Sequence, residues 1–338
     1  MKNLNNTITI QKKKTKLSNV FLTAFLFFIT IAFIINPAKY IGSCYNGLLT
    51  WAKCVLPALF PFFFITKLLT ELKVLDKVFF KFKNINKKLF NSPTISGYIF
   101  GMSIISGYPV GAKLIEDAYS QKLIDEKGAN KLVSFCSNSG PIFIIGTVGT
   151  IMFNSIKIGY ILYISHILSA ILNGLLYRNK YKCEIDDDKK IESIIDYNNL
   201  LSKVINSSIS SILVVGGFIT LFYVAIDVLI DYKVLLPLSN LINMVFSPLG
   251  LNNIGTGITS GLIEVTRGCL ELSKLNINLT SLVCIVSGLI TFGGLSIHAQ
   301  SITFLSNAKV NIKYYFLTKI TQTIFACVIS FLLCMFLI

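Results

Sequence analysis

Five runs of this chain, at about 19–36, 45–70, 155–177, 199–230 and 318–337, are apolar and long enough to cross hydrocarbon as helices. A chain with that much contiguous apolar side chain cannot close on a water-soluble core. Its composition agrees: 53% of the 338 residues are hydrophobic, 14% are charged, and the mean hydropathy is +0.69. Soluble domains carry roughly 25% charged residues. A soluble enzyme, a disordered chain and a disulfide-stapled secreted domain are excluded, and a polytopic membrane protein remains.

The formal charge of +15 points to no nucleic acid, because the lysines cluster beside apolar segments. Five lie in the first sixteen residues, and six more run from Lys73 to Lys88. Cytoplasmic and juxtamembrane segments carry such clusters. The eight cysteines form no CxxC and sit mostly in apolar runs, so they read as reduced, buried thiols. Lys12–Lys16 followed by Phe21–Ile35 has the outline of a signal peptide. The apolar run is long and lacks a small-x-small cleavage site, so an uncleaved first span is expected. Trp51 and Tyr40, near a span edge, read as interface anchors.

Two further apolar stretches, 94–153 and 254–306, are broken by Gly, Pro, Ser and Asn. In hydrocarbon such breaks are tolerated only where protein or a watery cavity covers them. The two stretches look like copies. Gly107 to Gly140 is 33 residues, and so is Gly261 to Gly294. The same offset of 154 pairs Ser106 with Ser260, Lys113 with Arg267 and Asp117 with Glu271.

Lysine counts orient the copies. Segment 73–90 holds six lysines, whereas its counterpart 232–253 holds only Lys233. The start of 155–177 has only Lys157, whereas 307–319 has Lys309, Lys313 and Lys319, which puts that segment inside. Opposite sidedness makes an inverted-topology repeat. The fold expected is an all-α polytopic membrane protein with two re-entrant helical hairpins, broken helices and about seven spans. The division expected is 1–44 (basic tail and first span), 45–178 (first repeat), 179–198 (cytoplasmic linker) and 199–338 (second, inverted repeat). An amphipathic interfacial helix is expected at 73–90.

Half-helices that end inside a membrane aim free N–H or C=O groups at whatever sits there. Ser106, Tyr108, Ser137, Asn138, Ser139, Ser296, His298 and Gln300 would add hydroxyl, amide and imidazole groups to a midplane site for a polar solute. The alternative is that the small residues only permit close helix packing. Lys113 and Arg267, in matching positions, suit an anion. Each also lies four residues before a carboxylate, Asp117 or Glu271, that would neutralise it on a helix. Glu264 is an intramembrane carboxylate, a ligand for solute or coupling ion or a partner for unwound N–H groups. His166 reads as a hydrogen-bonded core histidine. No GxxxxGK[ST], HExxH or GxSxG motif occurs, so neither ATP-driven transport nor an enzyme is expected, and no metal or cofactor is implied.

Ser106-Gly107-Tyr108-Pro109-Val110-Gly111-Ala112-Lys113 and Ser134-Phe135-Cys136-Ser137-Asn138-Ser139-Gly140-Pro141 resemble the YlbJ-type sporulation integral membrane proteins, also called SpoVV, which contain the nucleoside-recognition gate domain. Glu264–Gly268 and Gly293–Gln300 are similar, more loosely, to the second-half signature, and the match covers roughly 45–320. The resemblance implies a fold similar to concentrative nucleoside transporters. It also implies transport of dipicolinic acid, a small anionic solute, from the mother cell across the outer forespore membrane. A nucleoside-type carrier and a non-transporting scaffold for the spore envelope are the alternatives. The lipid bilayer is the expected surround. The sequence fixes neither a coupling ion nor a homo-oligomeric state.

Overall fold

All described elements of the computed structural model are helices, the form that satisfies backbone polar groups where water is absent. The structure describes residues 23–72, 88–181 and 199–337, with the single positions 20, 74 and 183. The basic tail, most of 73–90 and most of the linker 178–198 lie outside the described residues.

Helix α1 covers Thr23–Ile35 and α2 covers Pro37–Glu71. The second expected span thus begins at Pro37, where proline's missing N–H costs nothing in a first turn. Its π-wound turn at Trp51–Val55 leads into Pro57 and Pro61. A hairpin follows, α3 (Ser96–Ser106) and α4 (Val110–Ser120). Eleven residues of helix rise about 16 Å, half the hydrocarbon thickness, so the hairpin turns back inside the layer. Next come α5 (Glu126–Val133), an unwound stretch, the π-wound α6 (Ile142–Met152) and the straight α7 (Ile156–Leu176).

After α8 (Leu200–Asp231) and α9 (Leu236–Phe246) the order repeats. The second hairpin is α10 (Gly255–Ile263) and α11 (Val265–Leu272). The second bent helix is α12 (Leu279–Phe292) and α13 (Gly294–Asn307), and the last straight helix is α14 (Ile312–Leu337). The bend between α12 and α13 falls on Gly293 and Gly294, at φ +98° and +69°. Five helices among the described residues, α2, α7, α8, α12–α13 and α14, are long and apolar enough to span. The other two crossings expected are α1, described over only 13 residues, and the interrupted α5–α6.

The two copies interlock. The hairpin helix α4 packs on α5 of its own copy and α13 of the other, and its counterpart α11 packs on α12 of its own copy and α6 of the other, so each hairpin bridges the broken helices of both copies. The straight helices α7 and α14 pack on each other at the centre. Leu168, Leu213, Ile324 and Phe336 stand exposed on the outer faces, where lipid would lie.

Helices α2 and α8 form an antiparallel strut. Lys39 pairs with Asp231 at 2.6 Å at one end, and Lys203 pairs with Glu71 at 2.7 Å at the other. Midway, Thr50 and Tyr223 share a hydroxyl hydrogen bond of 3.0 Å. Trp51 is therefore not an interface anchor: its Nε1 donates to the Ile212 carbonyl at 3.2 Å, inside the strut. Tyr40 is likewise packed, 1% exposed and donating to Asp231 at 2.9 Å. Charge counting also misplaces Lys319. Lys309 and Lys313 are exposed at the start of α14, but Lys319 lies seven residues into that helix and is 2% exposed.

Candidate solute site

Helix α3 stops at Ser106 because Gly107 turns to φ +75°, ψ −170°, a region only glycine enters readily. Pro109 then supplies no N–H, and α4 begins at Val110. A Cβ on Gly107 would stand 2.5 Å from the Gly140 nitrogen, so the hairpin tip touches the unwound stretch between α5 and α6 backbone to backbone. The second copy does the same: a Cβ on Gly294 would stand 2.9 Å from the Gly261 carbonyl.

The four breaks meet around one small cavity of about 70 Å³. Ser106, Gly107 and Tyr108 come from the first tip, Ser139 and Gly140 from the α5–α6 break, Glu264 and Thr266 from the second tip, and Ser296 and Gln300 from α13. The opposite wall is apolar and belongs to the strut: Leu59, Phe62 and Phe63 of α2, Val215 and Ile219 of α8. Ser106, Tyr108, Phe63, Val215 and Gln300 also line a second cavity of about 550 Å³, so the two adjoin. Lys67, Lys113 and Lys203 line this vestibule with Glu71 and Asp117, where α2 ends and α8 begins.

Of the residues expected at a site, Ser106, Tyr108, Ser139, Glu264, Ser296 and Gln300 lie on the wall of the small cavity. Glu264 is 2% exposed, and both its oxygens already accept backbone hydrogen bonds, from Thr266 N at 3.1 Å and Arg267 N at 2.7 Å. It caps α11 while facing the cavity. Lys113 sits in the vestibule, exposed, and makes no direct ion pair among the described residues, although Asp117 lies near enough to feel its charge. Arg267 lines neither cavity. Its guanidinium meets Asp227 at 2.6 Å and Glu271 at 2.7 Å, lies 5.0 Å from the Tyr223 ring centre, and is 11% exposed. The symmetric cation pair expected from the sequence is thus one exposed lysine without a direct ion pair among the described residues and one doubly neutralised arginine.

Ser137, Asn138 and His298 stand behind the wall. Asn138 Nδ2 donates to Ser103 Oγ at 2.9 Å and to the Phe135 carbonyl at 2.7 Å, holding the unwound chain against α3. His298 is buried among Phe292, Tyr315 and Phe316, its Nδ1 2.8 Å from the Tyr315 hydroxyl. His166, read as core, links the copies: its Nε2 accepts from Ser139 N at 2.9 Å, leaving Nδ1 to donate to Thr291 Oγ1 at 2.9 Å. Lys67 and Lys319 escaped the sequence reading. Lys67 donates to the Ser207 carbonyl and hydroxyl and to Ser211 Oγ at 2.7 Å. Among the described residues no group of three or more His, Cys, Asp or Glu could hold a metal ion.

The chain is 26% identical over 340 residues to the sporulation integral membrane protein YlbJ of Bacillus subtilis (strain 168), covering 94% of this chain and 83% of the relative. The chain is an integral membrane protein similar to YlbJ. Its likeness to the YlbJ relative spans both hairpins and both bent helices. No family profile matches the chain. Among solved structures it is similar to the nucleoside transporter CNTnw in an inward-facing substrate-bound state, with a TM-score of 0.53, 13% identity, and coverage of 90% of this chain and 84% of that one. A doubly substituted CNTnw in an outward-facing state gives a TM-score of 0.53 at 12% identity, covering 91% and 90%. At such identities the likeness to CNTnw is one of fold.

Proposed function

We propose that this protein is a secondary carrier for a small aromatic dicarboxylate of the dipicolinate kind, working in a membrane of the sporulating cell. One observation carries the carrier reading: four interrupted helices converge on a small cavity, polar on one wall and apolar on the rest, that adjoins a wide, lysine-lined vestibule. Breaks of this kind are costly in hydrocarbon, and a solute path accounts for all four. The polar wall belongs to the repeat core and the facing wall is the apolar side of the α2–α8 strut. A core sliding along that face would carry its solute past side chains that offer no competing hydrogen bonds.

The anionic class rests on the vestibule, where among the described residues Lys113 makes no direct ion pair and Lys67 donates to neutral groups. The lysine-rich segment that follows α2 in the sequence supports a cytoplasmic mouth, the side from which a forespore-bound solute would enter. The YlbJ resemblance supplies dipicolinate as the candidate. One observation favours a nucleoside-type solute instead: the inner cavity wall carries hydroxyls, the Gln300 amide and the Glu264 carboxylate but, among the described residues, no Lys or Arg. Labelled dipicolinate and labelled uridine, each offered to liposomes holding the purified protein with and without a proton gradient, separate the two. Saturable dipicolinate flux sustains the first reading. Uridine flux alone replaces it, and flux of neither defeats the carrier.

A further inference from the structure

The Lys319 ammonium is 2% exposed and has no carboxylate partner among the described residues. An isolated buried charge is expensive unless something replaces its hydration. Here four oxygens do: the Tyr108 hydroxyl at 2.7 Å, the Gln322 Oε1 at 3.3 Å, the Thr291 carbonyl at 3.4 Å and the Ser137 carbonyl. Gln322 is oriented by its own Nε2, which donates to Asn138 at 3.1 Å, so its oxygen is the atom turned to the lysine. The Tyr108 hydroxyl gives its proton to Thr291 O at 3.2 Å, which likewise leaves oxygen lone pairs toward Nζ. Every group around Nζ is an acceptor, and the Tyr108 ring lies 4.8 Å away, adding its negative face. Such a shell fits a positive charge and gives a neutral amine nothing to accept from.

Three of its four ligands come from three separate breaks, and Gln322 lies on α14 itself. Tyr108 is the first hairpin tip, Ser137 the unwound α5–α6 stretch, and Thr291 the end of α12 before the glycine bend. Unwound carbonyls and half-helix C-terminal ends are what coordinate a coupling cation in carriers of this architecture. We propose that the Lys319 ammonium is a tethered replacement for such a cation, locking the breaks together so that the protein needs no bound sodium. The consequence for coupling rests on the carrier reading; occupancy of the cage by an organic cation does not.

Thermal unfolding of the purified full chain in detergent, at fixed ionic strength, tests the cage without any solute. The midpoint of the natural protein is expected to agree within about 1 °C in sodium, methylammonium and choline chloride. K319A, with the cage emptied, is expected to melt lower in choline and to recover on the order of 3 °C in sodium or methylammonium, ions small enough to enter. K319M, whose stem fills the space without charge, is expected to melt lower and show no recovery. A sodium-dependent midpoint in the natural protein overturns the proposal, and so does a folded K319A indifferent to all three salts. Should K319A not fold, a folded K319R beside an unfolded K319M supports it, and any other pattern of those two overturns it. Flux that persists when choline replaces sodium is the further consequence if the carrier reading holds.

Discussion

Replacing Gly107 by alanine strikes the point where the first hairpin tip meets the broken helix. At φ +75°, ψ −170° a side chain costs about 1–3 kcal/mol in backbone strain alone. The new methyl would also stand 2.5 Å from Gly140 N and 3.0 Å from Gly140 Cα, both backbone atoms that cannot rotate aside. The tip must therefore retreat by roughly 1 Å, which adds overpacking of about 1–3 kcal/mol. Together the loss is about 3 kcal/mol, a lowering of the detergent unfolding midpoint by roughly 4 °C for a chain of this size. The strain exists only while the tip is docked. The docked state should thus lose more than tenfold in population, and solute flux with it. Gly42→Ala is the matched control, since its Cβ meets nothing within 4 Å and the site lies in a helix. That change should be neutral or slightly stabilising. A G107A protein that melts and transports like the G42A control would refute the close docking of tip and break.

Arg267→Met leaves two carboxylates facing each other at 25% and 30% side-chain exposure. It should cost about 2 kcal/mol of stability, less than for a fully buried pair, and chemical denaturation reads it directly. Lys113→Ala should leave the unfolding midpoint within about 0.5 kcal/mol of the natural protein yet raise the apparent KM for an anionic solute several-fold. That KM effect should fade at high salt, and an equal effect on uridine would remove the electrostatic explanation. Glu264→Gln weakens the cap on α11 while keeping its shape. A loss of about 1 kcal/mol in thermal stability is expected, and an unchanged midpoint would show that the cap is dispensable.

Much of the architecture was legible because breaks inside apolar runs are rare and expensive. Gly107, Pro109, Gly140 and the pair Gly293–Gly294 mark the turning points at which the helices do end. The lysine asymmetry gave the inversion for the same reason: charge resists translocation. Polar partners across the fold were not legible. Lys319 sits among loop lysines in sequence, but its ligands Tyr108 and Ser137 are 211 and 182 residues away. Arg267 could be paired with Glu271 by helical spacing, yet Asp227, on α8 and 40 residues back, was beyond local reading. Trp51 was misplaced because a tryptophan near a span edge and one half-buried in a helix pair look alike until the neighbouring helix is in view.

The sharing of each hairpin between the two copies has a consequence for biogenesis. α4 rests partly on α5 of its own half and partly on α13, some 180 residues later in the chain, and α11 adds α6 to its own α12. The half synthesised first therefore emerges from the ribosome with its short hairpin held on one side only, and reaches its final packing when the second half has inserted. Two polypeptides made by severing the gene between codons 178 and 199 should each be degraded when expressed singly and should rescue one another when made together.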